Sequence, residues 1–366
     1  MTSVNDPSNQ NIETEVQFPT ALNYLYGEPA SHAAIRTQPE DFQVFENLAF
    51  EPEGEGDHVF LYIQKTGENT DWVAKQLANF CQVSPKEVGY AGKKDRHAVT
   101  EQWFSVHLPG RSPLTWSLFE TDTIKVLKAV KHTRKLRLGS LNGNRFQIRL
   151  RQVTDGADLE RRLGLIENGV PNYFGEQRFG HHYGNLYKGA AMIAGKRKER
   201  QRHKKGLYIS AVRSFLFNQL VNARIDEDLF DRCMEGDVLM LSGSQSCFVN
   251  DVDDNSIPAR LAEKEIHLTG AMWGRGRSIC GETARQWELH QLQPYTQLLD
   301  GLERLGLNQE RRAVRLMPEN LAFVKESEDQ YLLSFELQVG SFATSVLREL
   351  CHLEVASRHS DSKEEA

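Results

Sequence analysis

An α+β fold interrupted by a second, helix-rich domain is what this 366-residue sequence predicts. Three observations carry the expectation. Strand-like alternation dominates the first 150 residues and returns near the end, helical spacing dominates the stretch between, and the length suits two domains of ordinary size. Residues 1–20 are polar and are expected to be a flexible tail, as are 354–366. Residues 58–64 (His-Val-Phe-Leu-Tyr-Ile-Gln) alternate as a strand. Thr70 reads as an N-cap, and Val73, Leu77, Phe80 and Cys81 follow at helical spacing, which predicts a helix over 71–82. Residues 102–108 and 124–131 read as strands. Residues 145–151 alternate strictly, with Phe146, Ile148 and Leu150 on one side and Arg145, Gln147, Arg149 and Arg151 on the other. A helix is expected over 157–168.

Helical spacing then marks 185–194, 209–225 and 281–307. Strand character resumes over 313–324 and 331–339, and a last helix is expected from Ser341, carrying Phe342, Val346, Leu347 and Leu350. Strand-rich ends around a helix-rich middle suggest one domain inserted into another. Five cysteines, odd in number and without a CxxC pair, argue against a disulfide framework or a zinc ribbon. No apolar run approaches the ~18–20 residues of a membrane helix, and no secretory leader is apparent. The expected location is the cytoplasm, with no membrane association.

Net charge is −6, which taken globally argues against a nucleic-acid partner. The distribution reverses that argument. Residues 1–57 hold 1 basic and 11 acidic residues, 58–122 hold 7 of each, 123–224 hold 22 and 6, and 225–366 hold 14 and 26. A strongly basic middle between acidic ends fits a polyanion-binding face, although solvated helix surfaces would give the same count. Its densest part, 196–205, has seven Lys and Arg residues and no large apolar one, and is expected to be an exposed loop or helix end.

The densest polar cluster runs from Gly89 to Gln102. Asp95 lies among Lys93, Lys94 and Arg96, three residues after Gly92. Neighbouring cations favour the charged form of a carboxylate, which can then act as nucleophile or base. Gly92 permits a close turn, and the cations could hold phosphate. A surface turn with a local ion pair accounts for the same residues. GxKD lacks the spacing of a phosphate-binding P-loop. Gly274-Arg275-Gly276-Arg277 lacks the third glycine of a dinucleotide fingerprint and reads as a flexible loop. His181-His182 has no further ligand at metal-binding spacing, so no metal is expected.

The segment from Ala91 to Trp103 (AGKKDRHAVTEQW) resembles the active-site motif of the TruD family of tRNA pseudouridine synthases. Four further segments are similar to that family in the same order: Pro39-Glu40-Asp41-Phe42, the pair 135–139 and 142–146, 169–180 (GVPNYFGEQRFG) and 340–345 (GSFATS). The His181-His182 stretch departs from the glycine-rich sequence associated with the family there. The resemblance implies a pseudouridine synthase-like α+β catalytic domain with a mainly antiparallel sheet, formed by 21–169 and 317–353, and an inserted α/β TRUD domain over 170–316. It implies isomerisation of uridine 13 in the D arm of tRNA, without a cofactor. Asp95 would be the catalytic carboxylate. It would attack C1′, remove the C2′ proton or attack C6 of the base, and the motif does not choose among these routes.

By the same resemblance Phe342 stacks on the target base, although it also suits the apolar side of the last helix. Ser341 would cap that helix, and Asn144 would read the uracil edge. Phe42 and Phe146 match positions near the active site or simply fill the core. Lys94 would pair with Asp95 or bind phosphate, and Arg178 is a weaker candidate for phosphate. Lys196, Arg197, Lys198, Lys204 and Lys205 are the remaining RNA-binding candidates. A single RNA-binding cleft needs no second copy, so a monomer is expected. Two rivals remain: a binding module that has lost catalysis, and a nucleoside glycosidase with Glu101 as the second carboxylate.

Overall fold

The computed structural model describes residues 18–250, 254–276 and 278–355. In chain order the elements are β1 (His32–Ile35), β2 (Phe42–Leu48), β3 (His58–Thr66), α1 (Thr70–Phe80), β4 (Val88–Tyr90), β5 (Val99–His107), β6 (Ile124–His132), β7 (Leu141–Leu150) and α2 (Gly156–Ile166). There follow β8 (Val170–Pro171), α3 (Gly184–Ile193), α4 (Arg202–Asp226), β9 (Val238–Leu241), β10 (Cys247–Val249), α5 (Ile257–Ala262) and β11 (Ile266–Met272). The last are α6 (Glu282–Gln291), α7 (Thr296–Arg304), β12 (Glu310–Ala313), β13 (Arg315–Leu316), β14 (Glu319–Ser327), β15 (Gln330–Gln338), α8 (Ala343–Leu350) and β16 (His352–Val355). Two compact units result. One runs over Glu28–Val170 and resumes at Met317; the other is Pro171–Leu316 together with the described residues before Glu28.

The first unit is built on one large sheet, ordered β14-β15-β7-β2-β5-β3-β6, with β4 also paired to β5. Every pairing in it is antiparallel except β2 with β5. Residues opposite each other in a ladder project to the same side. Through Val44↔Thr100, Val44↔Phe146, Thr100↔Lys65 and Phe146↔Phe335, one face collects Phe42, Val44 and Glu46, then Asn144, Phe146 and Ile148, then Thr100, Gln102 and Lys65, then Leu333, Phe335 and Leu337. Helix α1 covers the β3–β5 part of this face, packing Val73, Leu77 and Ala78 on Leu61, Ile63, Phe104 and Val106. At the β7–β15 part the Tyr331 hydroxyl donates to Glu160 of α2 at 2.6 Å. Helix α8 joins α2 through Arg162, whose Nη1 donates to the Glu349 carbonyl at 3.0 Å. The strands between these coverings carry the polar side chains Glu46, Asn144, Thr100 and Gln102.

On the opposite face the alternation of β7 takes another course than its cations suggest. Arg149 bonds Glu326 at 2.6 Å, Arg151 bonds Asp41 at 2.7 Å, and Arg145 lies 3.9 Å over the Phe45 ring. The row of arginines is spent within the unit.

The second unit has an antiparallel sheet ordered β10-β9-β11-β12 with helices α3–α7. The expected 281–307 helix is two, α6 and α7, separated by a 3₁₀ turn at Gln293–Tyr295 in which Pro294 cannot continue the backbone ladder. Helix α4 starts at Arg202, seven residues before the apolar stripe, because polar residues add about two turns that apolar periodicity does not record. Residues 21–27 pack with this unit, not with the first. The Asn222 side chain accepts from the Asn23 amide at 3.0 Å and donates to the Ala21 carbonyl at 3.0 Å, and Phe18 wedges against Tyr187 and Phe215.

Buried His267 of β11 lies near Arg315 and Lys264, and burial pushes its imidazole down to about 4. A histidine depressed in the folded state is protonated more readily when unfolded, so stability is present above pH 6.5 and is lost as pH falls toward 4. Denaturant titrations at pH 7 and pH 5 should show a loss of ~1–2 kcal/mol from this group. His267→Gln should remove that part of the slope; an unchanged slope would assign it elsewhere.

Candidate active site

The loop between β4 and β5 is held at almost every residue. Gln102 Nε2 donates to the Gly92 carbonyl at 3.2 Å, and the Lys94 amide donates to Thr70 Oγ1 at 3.0 Å. Thr70 Oγ1 donates in turn to Gln102 Oε1 at 2.8 Å. Thr70 is therefore the first residue of α1, not its cap; Asn69 holds that position. Arg96 Nε reaches the Gly67 carbonyl at 3.2 Å. Lys65, with no exposed surface, donates from Nζ to the Glu68 carbonyl at 2.7 Å and to the Asp95 carbonyl at 3.1 Å. Burial pulls its ammonium down to about 8, against the opposing pull of the Asp95 charge. The backbone of Asp95 is thus fixed from beneath the sheet face.

The side chain of Asp95 is about one-third exposed and bonds Arg36 Nη2 through Oδ2 at 2.7 Å. None of the three cations beside Asp95 in sequence pairs with its carboxylate. Lys93 bonds Asp71 at 2.6 Å, and Lys94 bonds Glu46 Oε2 at 2.6 Å with both side chains buried. The expectation that Lys94 pairs with Asp95 is corrected accordingly: alternation of the loop aims Lys94 down at the sheet and leaves Asp95 at the rim. Glu46 is completed by the Trp103 amide, which donates to Oε1 at 3.0 Å. Arg36 follows β1 with φ +58, a left-handed conformation costing ~1–2 kcal/mol outside glycine. Its guanidinium lies 4.2 Å over the Phe42 ring.

Phe42 and Phe146 are both core residues of the same face, 2% and 8% exposed, meeting edge to face at 6.2 Å. Phe146 also stacks on Phe335 at 5.5 Å. Together they form an apolar floor under Arg36. Asn144 stands opposite Glu46 on this face, and its Oδ1 is buried without a hydrogen bond. A buried acceptor left unmade costs about 1–3 kcal/mol, so it is a natural place for a ligand donor. Gly143 beside it is obligatory, since a Cβ there would sit 2.4 Å from the Leu337 carbonyl oxygen.

Phe342 is half-buried and extended. It follows Gln338, the β15 residue opposite Gly143, by four positions, so it leaves the sheet at the end where Asn144 begins. It is the N-cap residue of α8, which starts one residue later than expected, and Ser341 does not cap it. Its ring is therefore outside the apolar stripe of that helix. Glu101 projects to the opposite face, where it accepts from Gln64 Nε2 at 3.1 Å and, with burial, raises the Tyr62 hydroxyl. A second carboxylate at that position cannot serve Asp95.

The other candidates belong to the second unit. Arg178 is half-buried, 3.3 Å from Ser210 Oγ, and burial lowers its guanidinium. Lys196, Lys198, Lys204 and Lys205 are exposed; Arg197 is partly covered, 6.0 Å from the Tyr208 ring. His181 and His182 lie with rings 3.9 Å apart, and among the described residues no His, Cys, Asp and Glu side chains cluster as metal ligands. No helix of the described residues is long and apolar enough to cross a membrane, and all five cysteines are free thiols.

Sequence reasoning passed over Arg36, Lys65, Glu46, Thr70 and Gln102. Two signals could have found the first three. Arg36 is the single basic residue of the first 57. Lys65 and Glu46 occupy inward positions of otherwise apolar strands.

Comparison with known proteins gives one family, described as tRNA pseudouridine synthase D (TruD), matching residues 20–202 and 198–350. The tRNA pseudouridine synthase D of Aeromonas salmonicida (strain A449) is 48% identical over 336 residues, 92% of this chain and 95% of that protein. That of Hydrogenovibrio crunogenus (strain DSM 25203 / XCL-2) is 44% identical over 329 residues, 89% and 95% of the two chains. The fold is shared with the crystal structure described as the putative tRNA pseudouridine synthase D (TruD) from Methanosarcina mazei, with a TM-score of 0.68 at 22% identity, covering 90% of this chain and 94% of that one.

Proposed function

The chain belongs to the tRNA pseudouridine synthase D family, and we propose that it isomerises uridine 13 in the D arm of tRNA to pseudouridine with Asp95 as the catalytic carboxylate. The N1–C1′ bond breaks, the uracil turns, and a C5–C1′ bond forms; C5 loses a proton and N1 gains one. Nothing is oxidised and no group is lost, so the chemistry needs no cofactor. It does need the nucleotide out of its stack and the detached base retained.

One observation carries the assignment of residues. Asp95 is held at the rim of a sheet face by Arg36, above an apolar floor, on the face where Asn144 offers an unmatched acceptor. Asn144 Oδ1 accepts from N3–H of uracil, a donor that neutral cytosine lacks. Phe342 stacks on the base from the strand end. Lys94, paired with Glu46, keeps the loop in place beneath the base. The carboxylate is available for attack at C1′, attack at C6 or removal of the C2′ proton. All these residues lie in one unit of one chain, which supports action as a monomer; free thiols and a tRNA substrate suit the cytoplasm.

The test is mass-neutral conversion. Unmodified tRNA transcript incubated with the protein should gain pseudouridine with no change in mass. Release of free uracil would identify a glycosidase instead.

Lys196, Arg197, Lys198, Lys204 and Lys205, with Arg178, supply phosphate contacts from the second unit. Changing the four exposed lysines to Gln should lower tRNA affinity and reduce the salt slope by roughly 0.7–0.9 per lost contact. An unaltered slope would remove this segment from the RNA interface.

A further inference from the structure

Four Lys and Arg residues are buried among the described residues: Lys65, Arg162, Arg224 and Arg315. Each arginine is bonded to a carboxylate, Arg162 to Asp158 at 2.8 Å, Arg224 to Asp237 and Arg315 to Asp231. Lys94, nearly as enclosed at its side chain, has Glu46. Lys65 differs. Its Nζ bonds two backbone carbonyls, and among the described residues no carboxylate lies within ion-pair distance of it.

Enclosing an ammonium without a carboxylate is costly, and a fold that needs only a donor at such a place can use a neutral one. The same loop contains the comparison. The neutral amide of Gln102 holds the Gly92 carbonyl at 3.2 Å, and the Thr70 hydroxyl receives the Lys94 amide at 3.0 Å. Anchoring this loop therefore does not require charge. The charge of Lys65 calls for a separate cause.

Its surroundings supply one. Lys65 stands on β3 opposite Thr100 of β5, and from there it joins the β3–α1 turn at Glu68 to the catalytic loop at Asp95. After burial itself, the strongest influence on the ammonium is the Asp95 carboxylate; Lys94, already paired with Glu46, opposes it, and Glu68 adds a weaker pull. Asp95 thus has Arg36 on its carboxylate and a second cation under its backbone. We propose that Lys65 is a positioning residue of the isomerisation: its ammonium fixes the height of the Asp95 backbone above the sheet and supplies standing positive charge against the carboxylate once RNA covers the site. Exclusion of water strengthens the attraction between the two charges. The proposal rests on Asp95 as the catalytic carboxylate. Lys65 acts through Asp95, because with no exposed surface it meets neither phosphate nor base.

The test uses full-length Lys65→Met and Lys65→Gln proteins on unmodified tRNA transcript, with single-turnover rate, tRNA binding and pH profile measured for each. Met keeps the length of the side chain without donor or charge, and Gln restores a neutral donor. Lys65→Met should lower the rate by about 10²-fold or more at native tRNA affinity, the loss expected of a misplaced carboxylate. Lys65→Gln should recover only part of it. Native protein should lose kcat/KM as pH rises through about 8, where the ammonium gives up its proton, and both variants should lack that fall. A native rate in the Gln protein, a fall that persists in it, or no fall in the native protein would each show that the charge has no role and would overturn the proposal. The Gln protein and the native pH profile decide if the Met protein fails to fold. If native protein converts tRNA and Lys65→Met does so equally fast, the proposal is wrong while the reading of Asp95 stands. If Asp95→Asn modifies tRNA at the native rate, that reading falls and this one with it.

Discussion

Asp95→Asn should lower the rate of pseudouridine formation by about 10⁴-fold or more, the scale seen when a covalent or base catalyst is removed from an active site. The substitution keeps the size and one hydrogen-bonding oxygen, so Arg36 retains a partner and the loop keeps its anchors through Lys65, Thr70 and Gln102. The pair lost is partly exposed, so its removal should cost at most about 1 kcal/mol of stability. Affinity for tRNA should stay the same or rise, because one negative charge leaves a surface that meets phosphates. Rate collapse with retained binding separates a catalytic role from a structural one. Single-turnover kinetics with filter binding reads both quantities, and an Asp95→Asn protein that still modifies tRNA would remove the residue from the mechanism.

The second large effect is expected at Arg36. Its guanidinium bonds the Asp95 carboxylate on one side and lies on Phe42 on the other, and its strained backbone is kept in place by this double contact. Arg36→Met should leave Phe42 covered but free Asp95 to rotate. A carboxylate misplaced by an ångström loses the geometry of attack, and a loss of ~10²-fold or more in kcat is expected with little change in KM. Arg36→Lys should recover part of the rate, since an ammonium can still reach one carboxylate oxygen without the planar contact to the ring. Equal losses for Met and Lys, or a loss confined to KM, would show that Arg36 contacts the RNA and does not position Asp95.

Much of this architecture is legible in the sequence, and the failures have physical causes. Alternation in 145–151 marks β7 because one of its sides is buried, and 58–64 marks β3 as an apolar run with Phe60 buried on one face and Leu61 and Ile63 on the other. The 70–80 helix is legible because its apolar stripe meets the same face. Asp95 stands out by its neighbours, yet those neighbours mislead about its partner. Backbone alternation sends Lys93 to Asp71 and Lys94 to Glu46, and the partner comes from 59 residues upstream. Pairing over such a separation depends on which strands are adjacent, and that order is not written in local periodicity. The placement of residues 21–27 fails for the same reason, since one carboxamide, Asn222, draws them across about 200 residues of chain. Ser341 looks like a cap because it precedes an apolar stripe, but α8 starts after Phe342, whose extended backbone sets its ring apart from the stripe.

The central claim is that this chain converts one defined uridine of tRNA by means of the Asp95 site. Carbodiimide adduct formation followed by primer extension, on an unmodified tRNA transcript treated with native protein, tests it most directly. The expected result is a single new stop marking pseudouridine at position 13, absent after treatment with the Asp95→Asn protein. No stop at that position in any uridine-13 transcript, or the same stop with both proteins, would contradict the account.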